Sequence, residues 1–223
     1  MKVSVILPTC KRPTILKTML DSLVATTHDY DIETIVLIDD DLESCQIALD
    51  YGCIVDYSDY RRNVLSLWNK GLKLSTGDMI HPSMDDLIYH ENWLRYGLES
   101  HAEKLGRCGV VGFNDLAYDG NLQVATQFMF DRRYCKEYMG GVIAPPVYEY
   151  LCVDAEINET AKLFNKFYWD KRAIVEHVHS AHGKRPYDVH DKWKDENSLA
   201  MYDGIVYEAR KANGFPVVWE PII

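Results

Sequence analysis

The sequence predicts an α/β fold in which a mostly parallel central sheet flanked by helices is followed by a mixed α+β second half. In the first half, short apolar runs alternate with segments of helical periodicity, which is typical of parallel strands joined by helices. Further along, strand and turn signals follow one another directly, which indicates antiparallel pairing. The 223 residues suit a single domain, with predicted halves at residues 1–110 and 111–223.

The first two strands and the helix between them are the clearest unit. Residues 3–7 form an apolar run that ends at Thr9, and residues 34–38 form a β-branched run that ends at three aspartates, 39–41. Pro13 suits the first turn of the intervening helix. In such βαβ units, ligands bind outside the carboxyl ends of the strands. Thr9 and the aspartates are therefore expected at one edge of the sheet.

A third strand at residues 54–57 and a fourth at residues 78–81 are predicted on either side of another amphipathic helix. Apolar residues at i, i+3 and i+7 mark that helix: Leu65, Trp68 and Leu72. The fourth strand delivers Asp85 and Asp86 to the same sheet edge.

The second half is predicted to be mixed. Its elements are a helix at 93–104, a strand at 108–113, a hairpin turn at Asp119 and Gly120, a returning strand at 123–129, and helices at 156–164 and 195–213.

The adjacent acids Asp85 and Asp86 are the sharpest chemical feature. Two carboxylates after a buried strand repel each other unless a cation or strong donors lie between them. Mg²⁺ or Mn²⁺ typically takes one or two carboxylates, with phosphate oxygens and water completing the shell. The alternative is an acidic pair stabilised by the dipole at a helix N-terminus.

Three histidines lie close together at positions 177, 179 and 182. In an extended segment His177 and His179 point the same way, so both could contact one ion. Ordinary polar loop histidines are the alternative interpretation.

The bulk properties exclude several classes of protein. A net charge of -10 and a pI of about 5.2 disfavour binding to nucleic acid or to anionic membranes. The six cysteines are scattered and are expected to be reduced thiols. No apolar window is long enough for a transmembrane helix, and a cytoplasmic location is expected. We interpret the basic pairs at 132–133 and 184–185 as solvated surface charges.

Four sequence segments in register resemble the family 2 glycosyltransferases of the GT-A fold, over residues 2–115. The matching motifs are VSVILPT at 3–9, IVLIDD at 35–40, NKGL at 69–72 with TGD at 76–78, and MDD at 84–86 followed by Trp93 and Leu94. The resemblance implies a nucleotide-sugar-binding first half and an acceptor-binding, catalytic second half.

The resemblance also implies roles for individual residues. Those expected at the nucleotide sugar, with uracil the favoured base, are Pro8, Thr9, Asp39, Asp40, Arg62, Asn69 and Asp85. Asp86 is expected to bind Mn²⁺ or Mg²⁺ directly, with Asp85 turned towards the ribose or donor sugar. Ser83 and Met84 stand where many members carry another acid, which leaves the choice between the two carboxylates open. A late histidine, His179 or else His177, is expected as a further metal ligand.

Inverting glycosyl transfer needs a base that takes the proton of the acceptor hydroxyl. The resemblance places this base at Asp154, and Glu156 is the alternative. Either carboxylate could instead cap the helix that follows. The predicted activity is therefore metal-assisted, inverting transfer from a UDP-sugar to an acceptor hydroxyl.

Three other functions remain in competition. A sugar nucleotidyltransferase shares the general fold, but the loop after the first strand is basic without the glycines that such enzymes use. A non-catalytic module that binds nucleotide sugars or carbohydrates would keep the fold without turnover. A metal hydrolase built on the histidines is disfavoured because no histidine pair has the spacing of a metal-binding helix.

Overall fold

The computed structural model describes residues 1–116, 124–196 and 199–216. The strands are β1 (Val3–Thr9), β2 (Ile32–Asp39), β3 (Ile54–Ser58), β4 (Met79–Pro82), β5 (Leu87–Tyr89), β6 (Val110–Asn114), β7 (Phe128–Asp131) and β8 (Phe167–His177). The helices are α1 (Pro13–Thr27), α2 (Leu42–Asp50), α3 (Val64–Leu74), α4 (Trp93–Leu105), α5 (Arg132–Tyr138), α6 (Val153–Leu163), α7 (Val189–Glu196) and α8 (Leu199–Ala212).

One eight-stranded sheet runs through both predicted halves, in the order β3-β2-β1-β4-β7-β6-β8-β5. Strands β3, β2, β1 and β4 are parallel. Strand β7 is antiparallel to β4 and β6, β8 is parallel to β6, and β5 is antiparallel to β8. The α/β class and the change to mixed pairing after β4 are confirmed.

The core lies on both faces of this sheet. Along β1, Val5 and Leu7 pack into one cluster and Ile6 into the other, as the alternation of a strand requires. Both faces are covered, which is why the first strands are continuous apolar runs. Helix α3 packs against β1 so closely that a Cβ at Gly71 would overlap Cγ2 of Ile6.

Several predicted elements differ from the structure. Strand β8 was predicted only as an extended run around the histidines, because Asp170, Lys171 and Arg172 interrupt its apolar pattern at a bulge opposite β6. Helix α2 was not predicted. It begins because Asp41 accepts hydrogen bonds from the amide and hydroxyl of Ser44, at 3.0 and 2.5 Å.

Two helices of the second half begin elsewhere than predicted. Helix α6 starts at Val153, after Cys152 takes a left-handed conformation with φ of 67°. Asp195, predicted to open the last helix, belongs to α7. The hairpin residues Asp119 and Gly120, and position 123 of the returning strand, lie outside the described residues.

Candidate active site

A cavity of about 330 Å³ lies at the carboxyl ends of β1, β2 and β4. Its first-half lining includes Pro8, Thr9, Asp39, Arg62, Asp85 and Asp86, and its second-half lining includes Asp154, His177, His179 and Arg185. The volume is that of an ordinary small-molecule site. Residues from both halves of the sequence therefore meet in one cavity at the predicted sheet edge.

Asp85 and Asp86 are both buried, and both contact the guanidinium group of Arg12. Asp85 accepts a hydrogen bond from the Thr9 hydroxyl at 2.8 Å and one from Nη1 of Arg12 at 3.0 Å. Oδ2 of Asp86 lies 3.4 Å from Nη2 of Arg185 and 3.6 Å from Nη1 of Arg12. The acids are held by guanidinium groups and a hydroxyl, and neither caps a helix.

His177 approaches Asp86 from strand β8. Its Nε2 lies 3.2 Å from Oδ1 of Asp86, yet neither atom makes a hydrogen bond of good geometry. The ring of His179 is centred 5.0 Å from that of His177, and its Nδ1 accepts a hydrogen bond from the Ala181 amide at 3.0 Å. The structure therefore brings His177, rather than His179, against the acidic pair.

The two carboxylates differ in their proton affinity. Burial raises the pKa of Asp85, and the neighbouring charge of Asp86 raises it further against the opposing effect of Arg12. Burial would also raise the pKa of Asp86, but His177, Arg12 and Arg185 together hold it below its ordinary value. Negative charge is therefore most firmly established on Asp86, the carboxylate that faces His177.

Asp39 and Arg62 form a fixed pair on the cavity wall. Oδ2 of Asp39 accepts from the Arg62 amide and Oδ1 from Nε of Arg62, both at 2.6 Å. Nη1 of Arg62 reaches Asp56 on β3 at 2.5 Å. The guanidinium thus joins the end of β2 to the middle of β3 and holds Asp39 in one orientation.

Three predicted site residues are not brought to the cavity. Asp40 is exposed, with φ of 49°, and forms an ion pair with Lys11 at 2.5 Å. Oδ1 of Asn69 accepts from the backbone amides of residues 143 and 144, at 2.8 and 3.0 Å. Glu156 forms a two-point ion pair with Arg210 at 2.6 and 2.7 Å and accepts from the Tyr148 hydroxyl at 2.6 Å. Asn69 and Glu156 make contacts that stabilise the fold, whereas Asp40 forms a surface ion pair that contributes little to stability.

Asp154 does line the cavity, in the first turn of α6. It is half-buried, and its Oδ1 accepts a hydrogen bond from the Ala155 amide at 2.8 Å. Burial raises the pKa of its carboxyl. The N-cap position of α6 is occupied by Cys152, which makes no side-chain capping hydrogen bond, so Asp154 lies inside the first turn and not at the cap position.

The structure also reveals site residues that the sequence analysis did not single out. Arg12 and Arg185 line the cavity, and Asp188 and Asp191 contact both guanidinium groups within 4 Å. The interpretation of Arg185 as a solvated charge was wrong, since its side chain is only 8% exposed. For Arg12, the available signal was its position three residues after Thr9, at the predicted binding edge.

The comparisons with known structures agree with this fold. A mannosyltransferase from Pyrobaculum calidifontis, solved with GDP-Man and Mn²⁺, is similar with a TM-score of 0.66 and 16% identity, over 79% of this chain and 57% of that one. S. aureus TarS 1-349 in complex with UDP-GlcNAc gives 0.64 and 16%, over 91% and 66%. Glucosyl-3-phosphoglycerate synthase from Mycobacterium tuberculosis, solved with Mn²⁺, UDP and phosphoglyceric acid, gives 0.65 and 15%, over 96% and 79%.

These similarities confirm the predicted GT-A-like fold. The chain spans less than two thirds of the mannosyltransferase and TarS chains. No curated protein sequence matches significantly. In the ranges that the structure describes, every helix is too short or too polar to cross a membrane.

The sequence itself matches a family model. The model described as "Glycosyl transferase family 2" matches residues 4–148, a stretch that includes Thr9, Asp39, Asp85 and Asp86. This stretch is well over half of the 223 residues. The chain therefore belongs to glycosyl transferase family 2.

Proposed function

We propose that this protein transfers a glycosyl group, with inversion, from a nucleoside-diphosphate sugar to an acceptor hydroxyl, with the help of a divalent cation. The favoured donor is a UDP-sugar. The observation that carries the proposal is the convergence of Asp86, His177 and Asp154 on one cavity at the sheet edge where this fold binds ligands.

The pair formed by Asp86 and His177 fits a cation. Their facing atoms are both buried, lack a well-formed hydrogen bond and lie 3.2 Å apart. Two neighbouring ligands of an octahedral ion, each bound at about 2.1 Å, are separated by about 3.0 Å. Within the described part of the chain there is no group of three or more His, Cys, Asp or Glu side chains placed to hold a metal. A site with two protein ligands suits Mn²⁺ or Mg²⁺, whose remaining positions are filled by diphosphate oxygens and water.

The charges around this pair also favour a cation. The carboxylates of Asp85, Asp86, Asp188 and Asp191 contact two guanidinium groups, those of Arg12 and Arg185. When all four acids are ionised, two negative charges are in excess. Buried charge without a partner is costly, so a divalent ion would stabilise the cluster.

The nucleoside would lie against Thr9, Asp39 and Arg62. Arg62 occupies one acceptor position on each oxygen of Asp39, which leaves further acceptor capacity for a base N–H. UDP is the preferred choice because TarS and glucosyl-3-phosphoglycerate synthase were solved with uridine nucleotides, whereas the mannosyltransferase was solved with GDP-Man.

The proposed reaction is a single displacement at the anomeric carbon of the donor sugar. The acceptor oxygen forms a bond to the anomeric carbon while the bond from that carbon to the diphosphate breaks, and the diphosphate leaves with the electron pair. Asp154 takes the hydroxyl proton, a role typically worth about 10²–10⁴-fold in rate. Arg12 and Arg185 oppose the negative charge that develops on the leaving group. A divalent cation, when bound, would neutralise the same charge as a Lewis acid.

The decisive experiment measures binding of UDP, GDP, ADP and CDP by calorimetry, with Mn²⁺ and with chelator. Release of nucleoside diphosphate from the corresponding sugars is then followed with and without sugar acceptors. Metal-dependent binding of one diphosphate and its release from the matching sugar would support the proposal. A protein that binds none of the four with Mn²⁺ present would refute it.

A further inference from the structure

A short segment of the second half contacts two arginines that line the cavity, Arg12 and Arg185. We call residues 185–193 the strap. It carries Arg185, Asp188 and Asp191, and it continues to Trp193, whose ring lies 3.7 Å from the guanidinium carbon of Arg61. Both Arg61 and Arg185 line the cavity. The strap is therefore anchored to the cavity by ion pairs in its middle and by a cation–π contact at its end.

The two strap carboxylates also begin helix α7. The Asp191 amide donates to Oδ1 of Asp188 at 3.0 Å, and the Asp188 amide donates to Oδ2 of Asp191 at 3.1 Å. This reciprocal arrangement is that of a capping box. It fixes both carboxylates at the helix N-terminus, facing the arginines.

Each strap carboxylate makes a two-point contact with one guanidinium group, and Asp188 also accepts a hydrogen bond from Nη1 of Arg185 at 3.2 Å. Nε and Nη2 of Arg12 donate to Asp188 at 3.0 and 3.2 Å. Nη1 and Nη2 of Arg185 donate to Asp191 at 2.6 and 3.0 Å. A planar guanidinium binds carboxylate and phosphate oxygens with the same two-point geometry. The strap therefore presents to Arg12 and Arg185 the kind of partner that a diphosphate would offer.

The position of the two arginines makes this relationship competitive. Their guanidinium groups lie 3.0 to 3.6 Å from Asp85 and Asp86, beside the proposed cation site. A diphosphate that shares a cation with Asp86 would lie within reach of both. It would then have to displace Asp188 and Asp191 from the donors they now occupy.

We propose that the strap is a built-in competitor of the donor: Asp188 and Asp191 hold Arg12 and Arg185 until a diphosphate replaces them. The identity of the ligand rests on the proposed function. Because the binding-competent protein is the fraction with the strap displaced, the apparent affinity for diphosphate is lowered by that fraction. Removing one strap carboxylate should raise the affinity.

The test compares Asp188→Asn with Asp195→Asn. Asparagine caps a helix about as well as aspartate, so α7 is retained in the first variant. Asp195 lies on the same helix and is exposed, with a hydrogen bond from the Tyr187 hydroxyl at 2.7 Å, so the second variant loses the same charge away from the arginines. Because Asp188 belongs to the acidic cluster that favours the cation, calorimetry is done at a Mn²⁺ concentration that saturates each variant, and it measures binding of UDP and, separately, of inorganic pyrophosphate. We expect Asp188→Asn to bind both about tenfold more tightly than wild type, and Asp195→Asn to match wild type.

The two ligands separate the failure of the strap proposal from that of the proposed function. Tighter pyrophosphate binding by Asp188→Asn, with no nucleotide bound by any variant, would support the strap and refute the nucleotide-sugar function. UDP binding by wild type, with Asp188→Asn no tighter than Asp195→Asn for either ligand, would refute the strap and leave the function standing. Asp191→Asn, measured in parallel, must shift affinity in the same direction as Asp188→Asn. Weaker binding in both would show that the carboxylates position the arginines for the donor, which overturns competition.

Discussion

Nε2 of His177 lies 3.2 Å from Oδ1 of Asp86, although the two residues are far apart in the sequence. Strand pairing makes this contact, since Leu87 is opposite His177 where β5 meets β8, and the Val178 amide donates to the carbonyl of Asp86 at 2.9 Å. A backbone ladder therefore sets the distance between the two side chains. We infer that this rigid pairing preorganises the cation site.

The first prediction concerns that pair. Asp86→Asn and His177→Ala should each weaken UDP binding in Mn²⁺ by about 10-fold or more, because each would remove a ligand of the proposed cation, which would in turn bind the diphosphate. Calorimetry over a Mn²⁺ series measures the effect. His179→Ala is the control. The ring of His179 is centred 5.0 Å from that of His177, and its Nδ1 accepts a hydrogen bond from the Ala181 amide. Equal loss in His177→Ala and His179→Ala, or wild-type affinity unchanged by chelator, would contradict the assignment.

The second prediction distinguishes neighbouring aspartates at the end of β2. Asp39→Asn should weaken nucleotide binding, because the amide loses acceptor capacity on the cavity wall and releases Arg62. Asp40→Asn should leave affinity unchanged, because Asp40 is exposed and contacts Lys11. Asp39→Asn should also lower the free energy of unfolding by about 1–3 kcal/mol, so affinity must be measured well below its melting temperature. Equal affinities for the two variants would remove Asp39 from the nucleoside site.

The third prediction separates catalysis from stability. Asp154→Asn should reduce kcat by about 10²–10⁴-fold while donor affinity stays close to wild type, because a general base acts mainly in the transition state. Glu156→Gln should behave in the opposite way, with a loss of about 1–3 kcal/mol in unfolding free energy from its contacts with Arg210 and Tyr148 and near-normal kcat at low temperature. Transfer by Asp154→Asn within a factor of two of wild type would exclude it as the base.

The fourth prediction is a pH dependence. Asp154 must be ionised to accept a proton, and burial raises its pKa above that of an ordinary aspartate, about 3.9. Turnover should therefore fall as pH drops through this raised pKa and recover as pH rises above it. The profile of kcat at saturating donor and Mn²⁺ measures this limb separately from binding. An Asp154→Asn enzyme whose residual activity keeps the same acidic limb would show that another group titrates.

Local sequence patterns were sufficient to predict the first four strands and the sheet edge at which they end. Strands β1, β2 and β4 are buried over most of their length, so burial itself imposes the apolar run that identifies them, whereas β3 lies at the edge of the sheet with Ile54 and Tyr57 exposed. The motif that ends in Asp85 and Asp86 was recognisable for the same reason, because it follows such a strand directly. The resemblance to the family rested on these segments.

The partners of those residues depended on contacts that no local pattern encodes. Asp39 and Asp40 are neighbours in the chain, yet one lines the cavity and the other faces solvent, because the chain turns into a left-handed conformation at Asp40. Likewise Asn69 was predicted as a site residue from its place in a motif and Glu156 as the alternative to Asp154, and in the structure both contact other segments outside the cavity.

His177 and Arg185 show most clearly which contacts could not be predicted from the sequence. The register of β8 against β5 places His177, rather than His179, next to Asp86. This register follows from strand pairing between segments far apart in the sequence. Arg185 resembled a surface charge because only the folded chain places Asp86 and Asp191 around it. Patterns of burial reveal strands and helices because these patterns repeat within one segment. The pairing of buried charges is decided between segments, because a buried charge is costly unless the folded chain brings a partner to it.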